Sequence, residues 1–411
     1  MWLVVDARPE IWQKDNVTRA IIDIGQRPRS SLPFSLRTFK QMALLRKLIV
    51  STVTIVALYT ACVGLLCLPG PQRFMIFLNK IQTPSSLHIP ESYGFAHNKV
   101  RNFQITTSDN ITLGAWHILP SSYHLQHGLR DIQGVPETSV YEKALSDPKF
   151  ETLVYFHGNA MNRAAPWRID LYKRLSDKFD RLNIITIDYR GFGDSDGYPS
   201  ESGLKLDAQA VIDWLAERNV PSQRITLLGH SLGTGVATTL ATEMTAAGKP
   251  PKTLILKAAY SSLPNLIFEY RIFNSIPLLG PLQAFPTAQK WMLEYLEHKF
   301  DSASRIEHVQ APILIVYGAT DLEIPGHNSH LLFHRAVQGS QEQEALVSDW
   351  LENSPKRVIP NEAIVYQHDN VRLVQLEYAG HNDVGYYDYT FQAIAEVTGW
   401  HMPHQTKLFP W

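Results

Sequence analysis

The sequence predicts an α/β protein: a mostly parallel sheet with helices on both faces, preceded by one transmembrane helix. Three observations predict it. Short continuous apolar runs alternate with stretches of helical periodicity, the pattern of strands buried on both faces. One of these runs ends in Gly229-His230-Ser231-Leu232-Gly233 and passes at once into a helix-compatible stretch, Val236 to Met244. Far upstream, Leu48 to Leu68 carries no charge at all.

The apolar run comes first in the chain. At 1.5 Å per helical residue its length spans about 31 Å, the hydrocarbon thickness of a bilayer. Arg46-Lys47 bound it on one side and Pro69-Gly70-Pro71 on the other. Residues 1–47 show no sustained periodicity and read as a cytosolic tail. Arg37, Lys40, Arg46 and Lys47 outnumber Arg73 and Lys80 behind the run, so the positive-inside rule puts the N-terminus in the cytosol. The domain at 100–411 then lies in the lumen, with the endoplasmic reticulum as the expected membrane. Asn110-Ile111-Thr112 is a glycosylation sequon on a predicted turn, while Asn16-Val17-Thr18 falls on the cytosolic side. Residues 69–99 form a linker, and Arg73 to Lys80 has the mixed character of a headgroup-level segment.

Val100 to Pro120 alternates around Ser108-Asp109-Asn110 and predicts an opening hairpin. Ser121 to Lys149 reads as a polar loop. Strands are expected at Thr152–Phe156, Asn183–Tyr189, Arg224–Leu228, Thr253–Ala259, Pro312–Tyr317 and Val374–Ala379, with helices such as Trp167–Phe179 and Leu204–Arg218 between them. Two segments interrupt the alternation. Residues 261–310 are aromatic and apolar, with Phe273 and Trp291 among them, and suit a helical cap over a site. Residues 327–370 are polar in their middle and carry no assigned role.

Composition narrows the chemistry. The chain has 411 residues, 45% hydrophobic, with a formal charge of −1. That balance lacks the basic patch a nucleic-acid binder needs. Its two cysteines, Cys62 and Cys67, both fall in the apolar run, so the domain has neither a disulfide framework nor a Cys-x-x-Cys metal pattern.

A serine at a strand–turn–helix apex is held in a strained conformation with its hydroxyl exposed, and a Cβ on either flanking glycine would crowd the neighbours. Serine is a weak nucleophile and needs a base oriented by an acid. Asp321 lies just past a predicted strand and His381 just past the next, in the chain order such sites use. Glu323 is the rival acid. The backbone N–H of Leu232, at a helix N-terminus, and that of Asn159, after Thr152–Phe156, are the expected oxyanion donors. His157 precedes the serine and fits loop shaping better than catalysis. Gly191-Phe192-Gly193 has the wrong spacing for a dinucleotide loop. His327, His330 and His334 fit a solvated helix face better than a metal site.

Tyr155 to Ala160, Asp188 to Ser195, Pro199 to Gly203 and Gly229 to Ala237 resemble the α/β-hydrolase fold, and within it the membrane-anchored lipases similar to abhydrolase domain-containing protein 12. The resemblance runs from about Phe103 to about Val384. It implies hydrolysis of monoacylglycerols or lysophosphatidylserine. On the family pattern Ser231 is the nucleophile, Asp321 the acid and His381 the base, the three already reached from the residues. The expectation is a serine hydrolase cleaving single-chain lipid esters, with lipid and bilayer as partners and no cofactor or metal. An acyl-protein or acyl-CoA thioesterase uses the same triad, and a silent membrane scaffold is the alternative outside enzymes.

Overall fold

The computed structural model describes residues 34–271, 275–339 and 347–402. Phe273, the Asn16 sequon and most of the predicted cytosolic tail lie outside these residues.

Two units divide the chain, one ending at Gly64 and one beginning at Leu65. The first is dominated by helix α1, Phe34–Leu66. Its stretch Thr38–Leu66 contains an 18-residue window of mean hydropathy 2.2 and is long and apolar enough to cross a membrane. The helix starts fourteen residues before the expected Leu48 and stops at Leu66, two residues short of Leu68. Pro69 explains the stop, because proline fits the first turn of a new helix and not the interior of an old one.

That new helix is α2, Pro69–Phe77. It belongs to the second unit, which therefore begins well before the expected boundary at residue 100. Phe77 is fully buried and packs edge-on against His298 and Phe300. Gln72 Nε2 donates to the Tyr295 carbonyl at 2.7 Å, and Gln72 Oε1 accepts from Glu297 N–H at 3.1 Å. Residues 69–81 are thus packed against the domain and are no free linker.

The second unit is built on a ten-stranded sheet: β1 Val100–Thr106, β2 Thr112–Ile118, β3 Glu151–Phe156, β4 Leu182–Ile187, β5 Ile225–His230, β6 Thr253–Lys257, β7 Ile313–Gly318, β8 Lys356–Ile359, β9 Ala363–His368 and β10 Val371–Leu376. The spatial order is β1-β2-β4-β3-β5-β6-β7-β10-β9-β8. β4, β3, β5, β6, β7 and β10 run parallel; the hairpins at both edges are antiparallel. Alternate residues of the parallel strands feed two cores. Val154, Leu227, Leu254 and Ile315 point to one face, and Leu153, Leu228, Ile255 and Leu314 to the other. Helices α6 Glu201–Ala216 and α7 Leu232–Ala246 cover the first face through Leu204, Val211, Val236 and Leu240. Helices α5 Pro166–Lys178 and α12 Asp388–Thr398 cover the second through Ile169, Tyr172, Tyr389 and Ile394.

Departures from expectation fall where periodicity is short. Ser121 to Lys149 holds helices α3, Ser121–Gln126, and α4, Thr138–Ser146, in place of a loop. They close a small core of Leu119, Tyr123, Leu129, Tyr141, Ala144 and Phe150. The last parallel strand is Val371–Leu376, three residues ahead of the expected Val374–Ala379. Residues 327–370 contain helices α10, His327–Gln338, and α11, Val347–Asn353, then the hairpin β8–β9, which extends the sheet beyond β10. The face bearing His330 and His334 is not solvated: His334 is fully buried and His330 Nε2 lies 2.6 Å from Tyr317 Oη. Helices α8, Leu263–Leu266, and α9, Pro286–Glu294, are the only α-helices described in 261–310, so the described residues of the segment expected as a helical cap are mostly irregular chain.

Candidate functional site

The loops at the carboxyl ends of the parallel strands converge on one serine. Ser231 is the residue between β5 and α7, with φ 52° and ψ −119°. A non-glycine residue there carries roughly 1–3 kcal/mol of backbone strain, which the surrounding packing must hold. Packing also fixes its neighbours. A Cβ on Gly229 would come within 2.4 Å of the Gly233 carbonyl oxygen, and one on Gly233 within 2.1 Å of that of Phe156. Only glycine permits so close an approach of helix to strand.

His381 and Asp321 meet beside it. His381 Nδ1 lies 2.8 Å from Asp321 Oδ2, and both side chains are buried. The other carboxylate oxygen, Oδ1, accepts from the N–H groups of Glu323 at 2.8 Å and Ile324 at 3.0 Å, which leaves Oδ2 aimed at the ring. Nδ1 therefore carries the proton, and Nε2 is left to act as a base. Burial opposes a charged imidazole, but the hydrogen bond and charge of Asp321, with the charge of Glu323, outweigh it and raise the His381 pKa above its ordinary value.

The two rivals separate cleanly. Glu323 does not touch Nδ1; its Oε2 lies 3.6 Å from Nε2, on the working side of the ring. No hydrogen bond joins Ser231 Oγ to His381 in this resting arrangement. Such contacts are often long before substrate binds. His157 is fully buried beneath the loop after β3, with Nδ1 donating to the Gly158 carbonyl at 2.7 Å and Nε2 3.4 Å from Asp188. It shapes that loop.

The loop also carries Asn159. Arg168 of α5 is buried beneath it, donating to the carbonyls of Asn162, Gly158, Asn159 and Ala160 at 2.6 to 3.2 Å. With the carbonyls turned inward, the N–H of Asn159 is engaged by no protein acceptor among the described residues, nor is that of Leu232 at the start of α7. Further support comes from the Asp188–Ser195 motif. Arg163 donates to Asp188 Oδ2 at 2.5 Å and Asp194 Oδ1 at 2.6 Å, tying the loop to β4. Burial works against the Asp188 charge, but Arg163 and His157 hold its pKa below the usual carboxylate range.

Three residues make contacts near the site that sequence reasoning does not reach. His230 Nε2 donates to the His381 carbonyl at 3.1 Å, and burial pushes its pKa well below the ordinary value, so it is a neutral strut. Lys257, at the end of β6, donates to the Asn382 carbonyl at 3.1 Å. Burial lowers its pKa to about 7, with Asp383 and Asp321 opposing the shift and Arg168 adding to it. Tyr270 Oη donates to Glu323 Oε2 at 3.3 Å.

Two cavities meet at Ser231. One is almost wholly apolar, walled by Leu66, Met75 and Ile76 on one side and by Leu266, Leu279 and Met292 from 261–310 on the other. The second, the polar cavity, is also bounded mainly by apolar surface but carries Arg168, Glu323 and His381 on its wall beside Trp167. Asn159, Ser231 and Tyr270 border both. Trp291, expected to line the acyl wall, instead lies half-exposed on α9, its ring tilted against that of Tyr295.

Such a site can attack an acyl carbonyl. The family model of the alpha/beta hydrolase fold matches residues 151–245. The bovine lysophosphatidylserine lipase ABHD12 is 30% identical over 287 residues, 69% of this chain and 68% of that protein. The rat lysophosphatidylserine lipase ABHD12 is 32% identical over 272 residues, 66% of this chain and 64% of that protein, so this chain spans just under two thirds of it. The solved Pyrococcus furiosus esterase Pf2001 matches at 16% identity with a TM-score of 0.49, over 78% of this chain and 97% of that one.

Proposed function

The chain belongs to the family of the ABHD12 lysophosphatidylserine lipases, and on that premise we propose that it is a membrane-anchored serine hydrolase of single-chain lipid esters, monoacylglycerols or lysophospholipids. The observation that carries the proposal is the position of Ser231, at a strained strand–helix apex where an apolar cavity meets one whose wall carries Arg168, Glu323 and His381. A lipid with one acyl chain has the same two-sided character.

His381 Nε2 takes the proton of Ser231 as Oγ attacks the ester carbonyl. Asp321 keeps the ring in the tautomer that leaves Nε2 free, and stabilises the imidazolium. The oxyanion forms against the N–H groups of Asn159 and Leu232. His381 returns the proton to the leaving glycerol oxygen. Water, activated by the same ring, then releases the fatty acid from the acyl-enzyme. The acyl chain occupies the apolar cavity and the glycerol side the polar one.

A fluorophosphonate probe should label the wild type, and Ser231→Ala should abolish both labelling and turnover of monooleoylglycerol. Undiminished labelling of that variant would remove the assignment.

The anchor is α1, with the catalytic unit lumenal in the endoplasmic reticulum. Basic residues ahead of the apolar run support this orientation. Asn110 stands on the exposed turn between β1 and β2, accessible to a lumenal glycosyltransferase. In intact microsomes protease should spare the catalytic unit, and Asn110→Gln should abolish a glycan shift. Digestion of that unit from outside would reverse the topology.

A further inference from the structure

The polar cavity holds a carboxylate that the hydrolytic steps do not use. Glu323 is 16% exposed at its side chain, and its Oε2 accepts from Tyr270 Oη at 3.3 Å. His381 Nε2, at 3.6 Å, is beyond hydrogen-bond range and is required elsewhere once Ser231 attacks. Among the described residues Arg168 is the one guanidinium or lysine side chain lining the cavity, and its terminal nitrogens are already given to four loop carbonyls. A carboxylate withdrawn from water with one neutral donor is costly, and a cation supplied by the ligand offsets that cost. On the same cavity wall Trp167 Nε1 is buried with no acceptor among the described residues, a donor suited to a headgroup oxygen.

We propose that Glu323 receives the primary ammonium of a lysophospholipid headgroup, making the polar cavity a subsite selective for amine-bearing substrates. The proposal rests on the esterase reading of Ser231. It also gives Glu323 a second consequence. A carboxylate drawn to the substrate's ammonium turns its charge away from Nε2, which favours the neutral ring that accepts the Ser231 proton as the ester arrives. A carboxylate that served His381 alone would affect every substrate to the same extent.

The test uses the full-length protein in mixed micelles with 1-oleoyl lysophosphatidylethanolamine and 1-oleoyl lysophosphatidylglycerol. The two share acyl chain, glycerol and phosphodiester and differ in the ammonium. The wild type should favour the ethanolamine lipid in kcat/KM by about tenfold, the scale of one charge-assisted hydrogen bond. Glu323→Gln should bring the ratio close to one, and lysophosphatidylserine, which also bears an ammonium, should lose alongside lysophosphatidylethanolamine. Each ratio is taken within one protein, so a change in folded fraction cancels. A wild-type ratio of one, or a preference that survives Glu323→Gln, overturns the subsite. If Ser231 takes the fluorophosphonate but neither lipid is cleaved, the lipid-esterase reading itself falls, and the subsite with it.

Discussion

The two cavities at Ser231 are built from different parts of the chain. The apolar one is assembled from the sequence flanking the sheet: the turns right after the membrane-length helix, and the irregular segment between β6 and β7. The polar one is assembled from loops that end parallel strands, those bearing Asn159, Glu323 and His381. Chemistry that must be placed to fractions of an ångström thus rests on the rigid sheet, whereas the acyl wall tolerates looser construction because apolar contact is non-directional. Changes behind the polar side should therefore affect short and long acyl chains alike, and changes to the apolar wall should sort substrates by chain length.

The largest expected effect breaks the polar side. Asp321 holds His381 Nδ1 at 2.8 Å while two backbone N–H groups fix its own carboxylate. Asp321→Asn keeps the shape but presents the ring with an amide and favours the wrong tautomer. Turnover should fall by about four orders of magnitude with the fold intact. The loss should be the same for short and long esters. A mild Asp321→Asn beside a crippling Glu323→Gln would reassign the acid.

Next in size is the apolar wall. Met292 and Leu266 are buried and border the cavity. A methylene withdrawn from water contributes about 0.8 kcal/mol, roughly fourfold in kcat/KM. The wild type should therefore favour oleoyl over acetyl glycerol steeply. Met292→Asp should erase most of that slope while a short p-nitrophenyl ester loses far less. Equal losses on both would mean a folding defect, and a wild type indifferent to chain length would dissolve the contrast between the cavities. Trp291→Asp, on the exposed side of α9, should change the slope little.

How much of this was legible follows from how local each signal is. Ser231, Asp321 and His381 each sit one to five residues beyond an apolar run, so a strand end marks them in the sequence. The parallel strands were legible because six-residue apolar runs are long enough to stand out. β8 was not: Lys356 to Val358 is exposed, and its pairing is with β9 at the sheet edge. α3 and α4, at six and nine residues, are too short to display a period and form only because tertiary contacts close their small core. The sequence marks Glu323 only as a rival acid beside Asp321; its place opposite Nε2, like the contacts of Lys257, His230 and Tyr270, comes from side-chain directions and packing between distant elements. No spacing in the chain encodes that. The same holds for α2, whose apolar residues read equally well as a membrane-surface stretch until Phe77 finds His298 and Phe300.

The smallest expected effect sharpens the comparison inside the polar cavity itself. His381 must be neutral to accept the Ser231 proton, so kcat/KM should rise with pH through the pKa of its ring in the free enzyme. Burial pulls that pKa down; Asp321 first, and then the charge of Glu323, push it up past the ordinary histidine value. The acid limb should accordingly lie above the usual histidine range. Glu323→Gln removes one of the upward pushes and leaves Asp321 in place. The protonated ring then becomes easier to discharge, and the limb should move to lower pH. Monooleoylglycerol is the substrate to use, because it has no ammonium and isolates the effect on the ring from any effect on a headgroup. A limb that stays put would mean that water screens Glu323 from Nε2 in the working enzyme. A limb that moves to higher pH would mean that its charge opposes the imidazolium indirectly, against the 3.6 Å approach seen here.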